Sequence, residues 1–207
     1  MAKPVLAVTF GAALALLLAS SWLASSGQVS GLEADIFGWI NGLPESWRPV
    51  MYGVQLLGVL VVPLGLAAIA AAVGRWRLAV ALALIVPIKL ALEYFLLKQI
   101  VERDRPFVTV CAEDPDCADF RDVPLYGQSF PSGHAVIAFA LASLLWPWLG
   151  RAGRLFAIVA AIGVCVARVY LGAHNPLDVV AGAALGVLIG LLLRLVSGKP
   201  AAAEPAA

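Results

Sequence analysis

The chain holds two histidines, and both stand where an apolar run begins. His174 lies in YLGAHNPLDVV, four positions before Asp178, and His134 lies in FPSGHAV. Residues four apart share a helix face. The Asp178 carboxylate can therefore hold a proton on one ring nitrogen of His174 and leave the other free to attack, as a carboxylate does in serine-protease logic. Lys98 and Arg105 follow one apolar run, Ser132 and Gly133 directly precede His134, and Arg168 sits near the end of another run. Three fixed cations can surround one dense anion. Arginine offers a planar donor fork that matches phosphate oxygens, and lysine a compact charge. Ser132 adds a hydroxyl, and Gly133 lets backbone N–H groups approach closely at a helix N-terminus that already favours anions. Two histidines beside such a site suggest a nucleophile and an acid. Singly, each residue has a duller reading: Lys98 snorkels at a helix end, Arg168 pairs with Asp178, His134 sits at an interface. Their joint position at one end of the apolar runs favours the chemical reading.

The elements that must position them are membrane helices. Of 207 residues, 62% are hydrophobic and 13% charged, against roughly 25% charged in a soluble domain. A water-soluble fold could not hide this much apolar surface, so the solvent is largely lipid. A net charge of +1 gives nucleic acid binding no electrostatic support. A transmembrane helix needs about 20 mostly apolar residues. Residues 5–24, 50–73, 78–97, 134–149, 155–172 and 178–195 meet or approach that length. Lipid-exposed backbone must satisfy itself, which makes the fold all-α, a bundle of six transmembrane helices. With Lys3 before it and small residues around Ala24 and Ser25, the first apolar stretch has the alternative of a cleaved signal peptide, but it exceeds the roughly 7–15 residues of a signal core, which favours a retained helix. Residues 1–198 form one integral membrane domain and residues 199–207 a short flexible cytoplasmic tail. Gly182, Gly186 and Gly190 make a small-xxx-small stripe suited to close helix contact. Helix parity alone then gathers Lys98, Arg105, Ser132, His134, Arg168, His174 and Asp178 at one membrane face.

Charge decides which face. Lys3, Arg75, Arg77, Arg151, Arg154, Arg194 and Lys199 share one set of connections, with Glu204 as its only acid; Glu113, Asp114, Asp116, Asp119 and Asp122 lie in the other. Short basic loops stay cytoplasmic. Both termini are therefore expected inside and the histidines at the extracytoplasmic face of the cell membrane. In the first outer connection, Leu32, Ile36, Trp39 and Ile40 fall on roughly one helical face, the pattern of an amphipathic helix lying in the interface or of an ordered loop. The second, residues 98–133, exceeds the length of an ordinary connection. It carries Cys111 and Cys117, which an extracytoplasmic setting allows to pair. Cys165 reads as a small core residue. No acids at metal-ligand spacing adjoin the histidines, so no cofactor is expected, and no obligatory protein partner is evident.

KQIVERDRP at 98–106, PSGH at 131–134 and ARVYLGAHNPLD at 167–178 resemble the three-part signature of the type-2 phosphatidic acid phosphatase family, K-x6-RP, PSGH and SR-x5-H-x3-D. The resemblance covers residues 50–195 in layout. Family members of this size are six-helix membrane enzymes that remove phosphate from lipids, and the related vanadium haloperoxidases hold vanadate in a similar site. The resemblance implies that Lys98, Arg105 and Arg168 hold phosphate and that Ser132 and Gly133 complete the cradle. It makes His174 the nucleophile, Asp178 its orienter and His134 the acid for the leaving group. In one departure, Ala167 stands where the family has serine.

The expected activity is a metal-independent membrane lipid phosphatase working through a phosphohistidine. A polyprenyl (undecaprenyl) diphosphate is the first-choice substrate, with Arg103 as a fourth donor for its larger charge unless Glu102 and Asp104 neutralise it. Phosphatidic acid and phosphatidylglycerol phosphate are the alternatives. A transporter that merely binds an anionic lipid is the rival of another class and gives the two histidines no role; a phosphotransferase would need an acceptor site. Lys89 and Glu93, at i, i+4 spacing inside the third segment, read as a structural pair or as the lining of a polar pocket beneath the phosphate.

Overall fold

The computed structural model describes residues 3–114 and 116–198, and every regular element among them is helical. The expected tail at 199–207, with Lys199 and Glu204, lies outside the described residues, as does the side chain of Lys3. The order is α1 (Lys3–Ala24), α2 (Gly31–Asn41), α3 (Arg48–Gln55), α4 (Val61–Ala72) and α5 (Trp76–Leu90), which runs through a π-helical segment, Ala91–Leu97, into α6 (Lys98–Ile100). Then follow α7 (Pro106–Thr109), α8 (Gly133–Leu145), α9 (Arg151–Tyr170) and α10 (Pro176–Ser197). Four helices, Pro4–Ala24, Trp76–Ile100, Arg151–Tyr170 and Pro176–Ser197, are long and apolar enough to cross a membrane. A bent pair makes a fifth, and the apolar helix Gly133–Trp148 is shorter.

That bend departs from the continuous helix expected over 50–73. Glu45–Gly58 and Val61–Ala72 meet at 56°. Pro63 supplies the reason. In a continuous helix its ring would press on the carbonyl of residue 59. Val59 is instead extended (φ −84°, ψ 156°), and Pro63 falls in the first turn of α4, where a missing N–H is harmless. The π-helical segment is the second irregularity. Its bonding joins i to i+5, which stacks Lys98 over Glu93; in a plain α-helix the two would point about 140° apart.

α10 packs on α8 through the glycine stripe. A Cβ at Gly182 would sit 2.5 Å from the Ser132 carbonyl oxygen and one at Gly190 2.6 Å from that of Ala140, while Gly186 meets the Val136 carbonyl. Backbone therefore touches backbone. Lipid is as apolar as leucine, so this close fit, rather than hydrophobic burial, discriminates between helix partners. Leu82, Ile85, Val136, Ile137, Leu144, Leu185 and Ile189 fill the core between α5, α8 and α10.

α2 has two faces. Glu33, Phe37 and Asn41 turn inward and are buried, while Leu32, Ile36 and Trp39 are exposed. Ser30 caps it, accepting from the Glu33 N–H. The long outer connection is pinned rather than loose. Asn41 Nδ2 donates to the Asp119 carbonyl at 2.8 Å, and Arg121 pairs with Glu45 at 2.8 Å and Asp119 at 2.7 Å. A disulfide joins Cys111 and Cys117.

Candidate active site

Arg168 lies in the last turn of α9, buried, and its guanidinium donates to Gln55 Oε1. Gln55 ends α3, so the bend that follows it delivers this acceptor. The chain turns after Tyr170 and buries His174 before Asn175 caps α10. Pro176 opens that helix, a favoured place for proline. The Asn175 N–H donates to Asp178 Oδ2 at 2.8 Å, and His174 Nδ1 stands 3.6 Å from the same oxygen. That is longer than a hydrogen bond.

Other elements close on this turn. Arg105, which opens α7, donates to the Ala173 carbonyl at 2.8 Å. The Ser132 N–H donates to the Asp178 carbonyl at 2.9 Å and fastens the N-terminus of α8 to that of α10. His134 sits one residue inside α8, against Gly58 at the bend, where a Cβ would come within 2.7 Å of the His134 carbonyl oxygen. Lys98 is buried, 3.2 Å from Glu93 Oε1 and 3.3 Å from the Gln128 carbonyl. Lys89 Nζ lies 2.5 Å from Glu93 Oε2, and both groups lie against Gly133, where a Cβ would meet each at 2.7 Å. The Lys89–Glu93 pair is therefore both a structural ion pair and the floor under Gly133.

Electrostatics favour anion chemistry here. Burial pushes the His174 imidazole well below its ordinary pKa, and Arg168, Arg105 and Lys98 push it further. It is held neutral, with a lone pair available. Burial also lowers Arg105, against the pull of Asp178, Tyr94 and Glu93, yet arginine stays charged in proteins. Ser132 Oγ, Arg105 Nε and Arg168 Nε are buried with no hydrogen-bond partner among the described residues. Each such group costs about 1–3 kcal/mol. An oxyanion offers acceptor oxygens of the kind such donors need.

Arg103 does not join the cradle. It is fully buried, with Nη2 2.6 Å from Glu33 Oε2 and Nη1 3.3 Å from Asp178 Oδ1. Glu33 and Asp178, not Glu102 and Asp104, hold it, and the fourth-donor argument for a diphosphate fails. Asp178 accordingly pairs with Arg103 and not with Arg168. Ala167 is buried in an apolar group with Met51, Tyr170 and Leu171. Sequence reasoning missed Gln55 and Glu33. The first carried a signal, a lone amide inside an apolar segment; the second did not, since its partner Arg103 is 70 residues away.

A profile of the PAP2 superfamily matches residues 74–200. The chain is 31% identical over 173 residues to YbjG of Escherichia coli (strain K12), a candidate undecaprenyl-diphosphatase, covering 77% of this chain and 80% of that one. It is 37% identical over 111 residues to the lipid A 1-phosphatase of Rhizobium johnstonii, half of this chain and 42% of that one. It spans 32% and 52% of the length of two other curated relatives. The crystal structure of a transmembrane PAP2-type phosphatidylglycerolphosphate phosphatase from Bacillus subtilis superposes with a TM-score of 0.67 at 26% identity, covering 87% of this chain and 93% of that one.

Proposed function

The chain belongs to the PAP2 superfamily, as a multi-pass membrane protein among phosphatases, and we propose that it hydrolyses a lipid phosphate or diphosphate through a phosphohistidine. The observation that carries this reading is the buried His174 beside Arg105 Nε, Arg168 Nε and Ser132 Oγ, buried donor atoms with no hydrogen-bond partner among the described residues, where burial and the surrounding cations favour the neutral imidazole. Asp178 keeps the proton on Nδ1, and Nε2 attacks phosphorus. The bond from phosphorus to the lipid-side oxygen breaks, and His134 supplies that oxygen with a proton. His134, now a base, takes a proton from water, whose oxygen attacks phosphorus. The P–N bond breaks, inorganic phosphate leaves and His174 returns to its neutral form. Lys98, Arg105 and Arg168 stabilise charge on the equatorial oxygens, a task that elsewhere falls to a metal ion.

The topology that goes with this reading has six spans. The bent α3–α4 pair and the shorter Gly133–Trp148 helix count as two of them, both termini lie inside, and the site faces the extracytoplasmic side. Its support is the basic character of the connections at Arg75, Arg77, Arg151 and Arg154.

A polyprenyl diphosphate remains the first substrate, now on its resemblance to YbjG rather than on Arg103. A glycerolipid monoester is the second, favoured by the likeness to the Bacillus subtilis enzyme over nearly its whole length. Comparing kcat/KM for undecaprenyl diphosphate, phosphatidic acid and phosphatidylglycerol phosphate in one detergent decides between them. Binding of all three without phosphate release would defeat the phosphatase reading itself.

A further inference from the structure

We propose that Glu33 is a positioning residue for the reaction, acting on Asp178 through Arg103 and the Leu177 N–H; this rests on the phosphatase reading of the His174 site. Glu33 belongs to α2, far from every motif that carries the chemistry. Its side chain is nonetheless only 5% exposed. Oε1 accepts from Arg103 Nη1 at 2.9 Å and from the Leu177 N–H at 2.9 Å, and Oε2 accepts from Arg103 Nη2 at 2.6 Å. This is the bidentate fork that fixes a guanidinium in angle as well as in place. Arg103, 0% exposed, then donates from Nη1 to Asp178 Oδ1 at 3.3 Å, and from Nη2 to the Gln28 carbonyl at 3.2 Å. The other Asp178 oxygen takes the Asn175 N–H and faces His174 Nδ1.

The order Glu33, Arg103, Asp178, His174 is thus a line of charged and polar groups ending at the proposed nucleophile, hydrogen-bonded as far as Asp178 and with a last step of 3.6 Å. Two buried carboxylates share one guanidinium. Burial works against the Arg103 charge, and Glu33 and Asp178 more than offset it, so that its pKa is raised. When His174 attacks phosphorus its ring becomes cationic, and Asp178 must then be both anionic and correctly turned. With Glu33 neutral, Arg103 would act on Asp178 alone and draw its carboxylate away from the imidazole. The Leu177 N–H contact matters for the same reason, because Leu177 immediately precedes Asp178. The outer face of α2 carries the exposed Leu32, Ile36 and Trp39, so this line also ties the His174–Asp178 pair to a helix whose exposed apolar face suits a bilayer interface.

The test uses the full-length protein in detergent, labelled with 15N in its two histidines, whose resonances His134→Gln assigns. In Glu33→Gln the His174 ring resonances should move while those of His134 stay. kcat should fall about 10–100-fold, the range seen for outer partners of metal-bound histidines, with KM nearly constant, and Glu33→Asp should recover part of the loss. Arg103→Lys keeps the charge but not the fork and should shift His174 likewise, which keeps the idea testable if Glu33→Gln does not fold. Unmoved His174 resonances and a near-normal kcat in either folded variant would overturn the proposal. Because the resonances need no turnover, a wild-type protein that released no phosphate would count against the phosphatase reading separately.

Discussion

The proposed role of His174 as nucleophile rests on where it is buried, not on its residue type alone. An exposed histidine titrates near pH 6.5 and would be half cationic there. Burial first, then Arg168, Arg105 and Lys98, hold this one well below that value. Lowering the pH through 6.5 should therefore not protonate it, and the attacking lone pair should persist. A 15N titration of the free protein should show no His174 protonation step between about pH 5 and 8; a step near 6.5 would mean that the site is open to solvent. In the proposed reaction His134 carries the other half of the chemistry. His134→Ala should lower kcat about 10²–10⁴-fold, the range for losing a general acid–base, with the protein still binding vanadate, since the cradle is untouched. A kcat within a few-fold of wild type would assign the leaving-group proton to another donor.

At the scale of elements, the helix contacts are set by absent side chains. Gly186 in α10 lies against the Val136 carbonyl of α8, whereas Gly11 in α1 has nothing nearby. Gly186→Leu should lower thermal stability by about 1–3 kcal/mol, the cost of overpacking, and Gly11→Leu should be close to neutral. Equal effects in detergent melting curves would remove the stripe from the account. The stripe was legible from spacing alone, because it depends on neighbours within a turn or two; spacing left α2 open between an interfacial helix and an ordered loop, and Ile40, expected on its outer face, packs inward against the groups around Phe37 and Met51. The irregular elements were harder. Pro63 announces the bend only if its clash is traced back to residue 59. The π-helical segment is invisible to α-helical counting, which sends Glu93 and Lys98 to different faces. Links between distant segments were harder to read: Arg168 finds Gln55 across 113 residues, signalled only by a lone amide in an apolar run, and Arg103 finds Glu33 across 70 with no local signal. Local spacing carries the reacting groups; contacts between distant helices choose what stands behind them.

For the whole molecule, the account requires the acidic connection and the histidines to share the outer side. A cysteine introduced within 113–122 should react with an impermeant thiol reagent on intact cells, and one near Arg75 or Arg151 should not. Reversed labelling would turn the site inward. The central claim, however, is a covalent bond between phosphorus and His174. Purified protein given a lipid substrate labelled at the terminal phosphorus and quenched during turnover should carry an acid-labile, base-stable phosphoryl group on the peptide containing His174. His174→Ala, folded and still able to bind vanadate, should carry none and release no phosphate. Turnover that continues in His174→Ala, or a label found on another residue, would contradict the account.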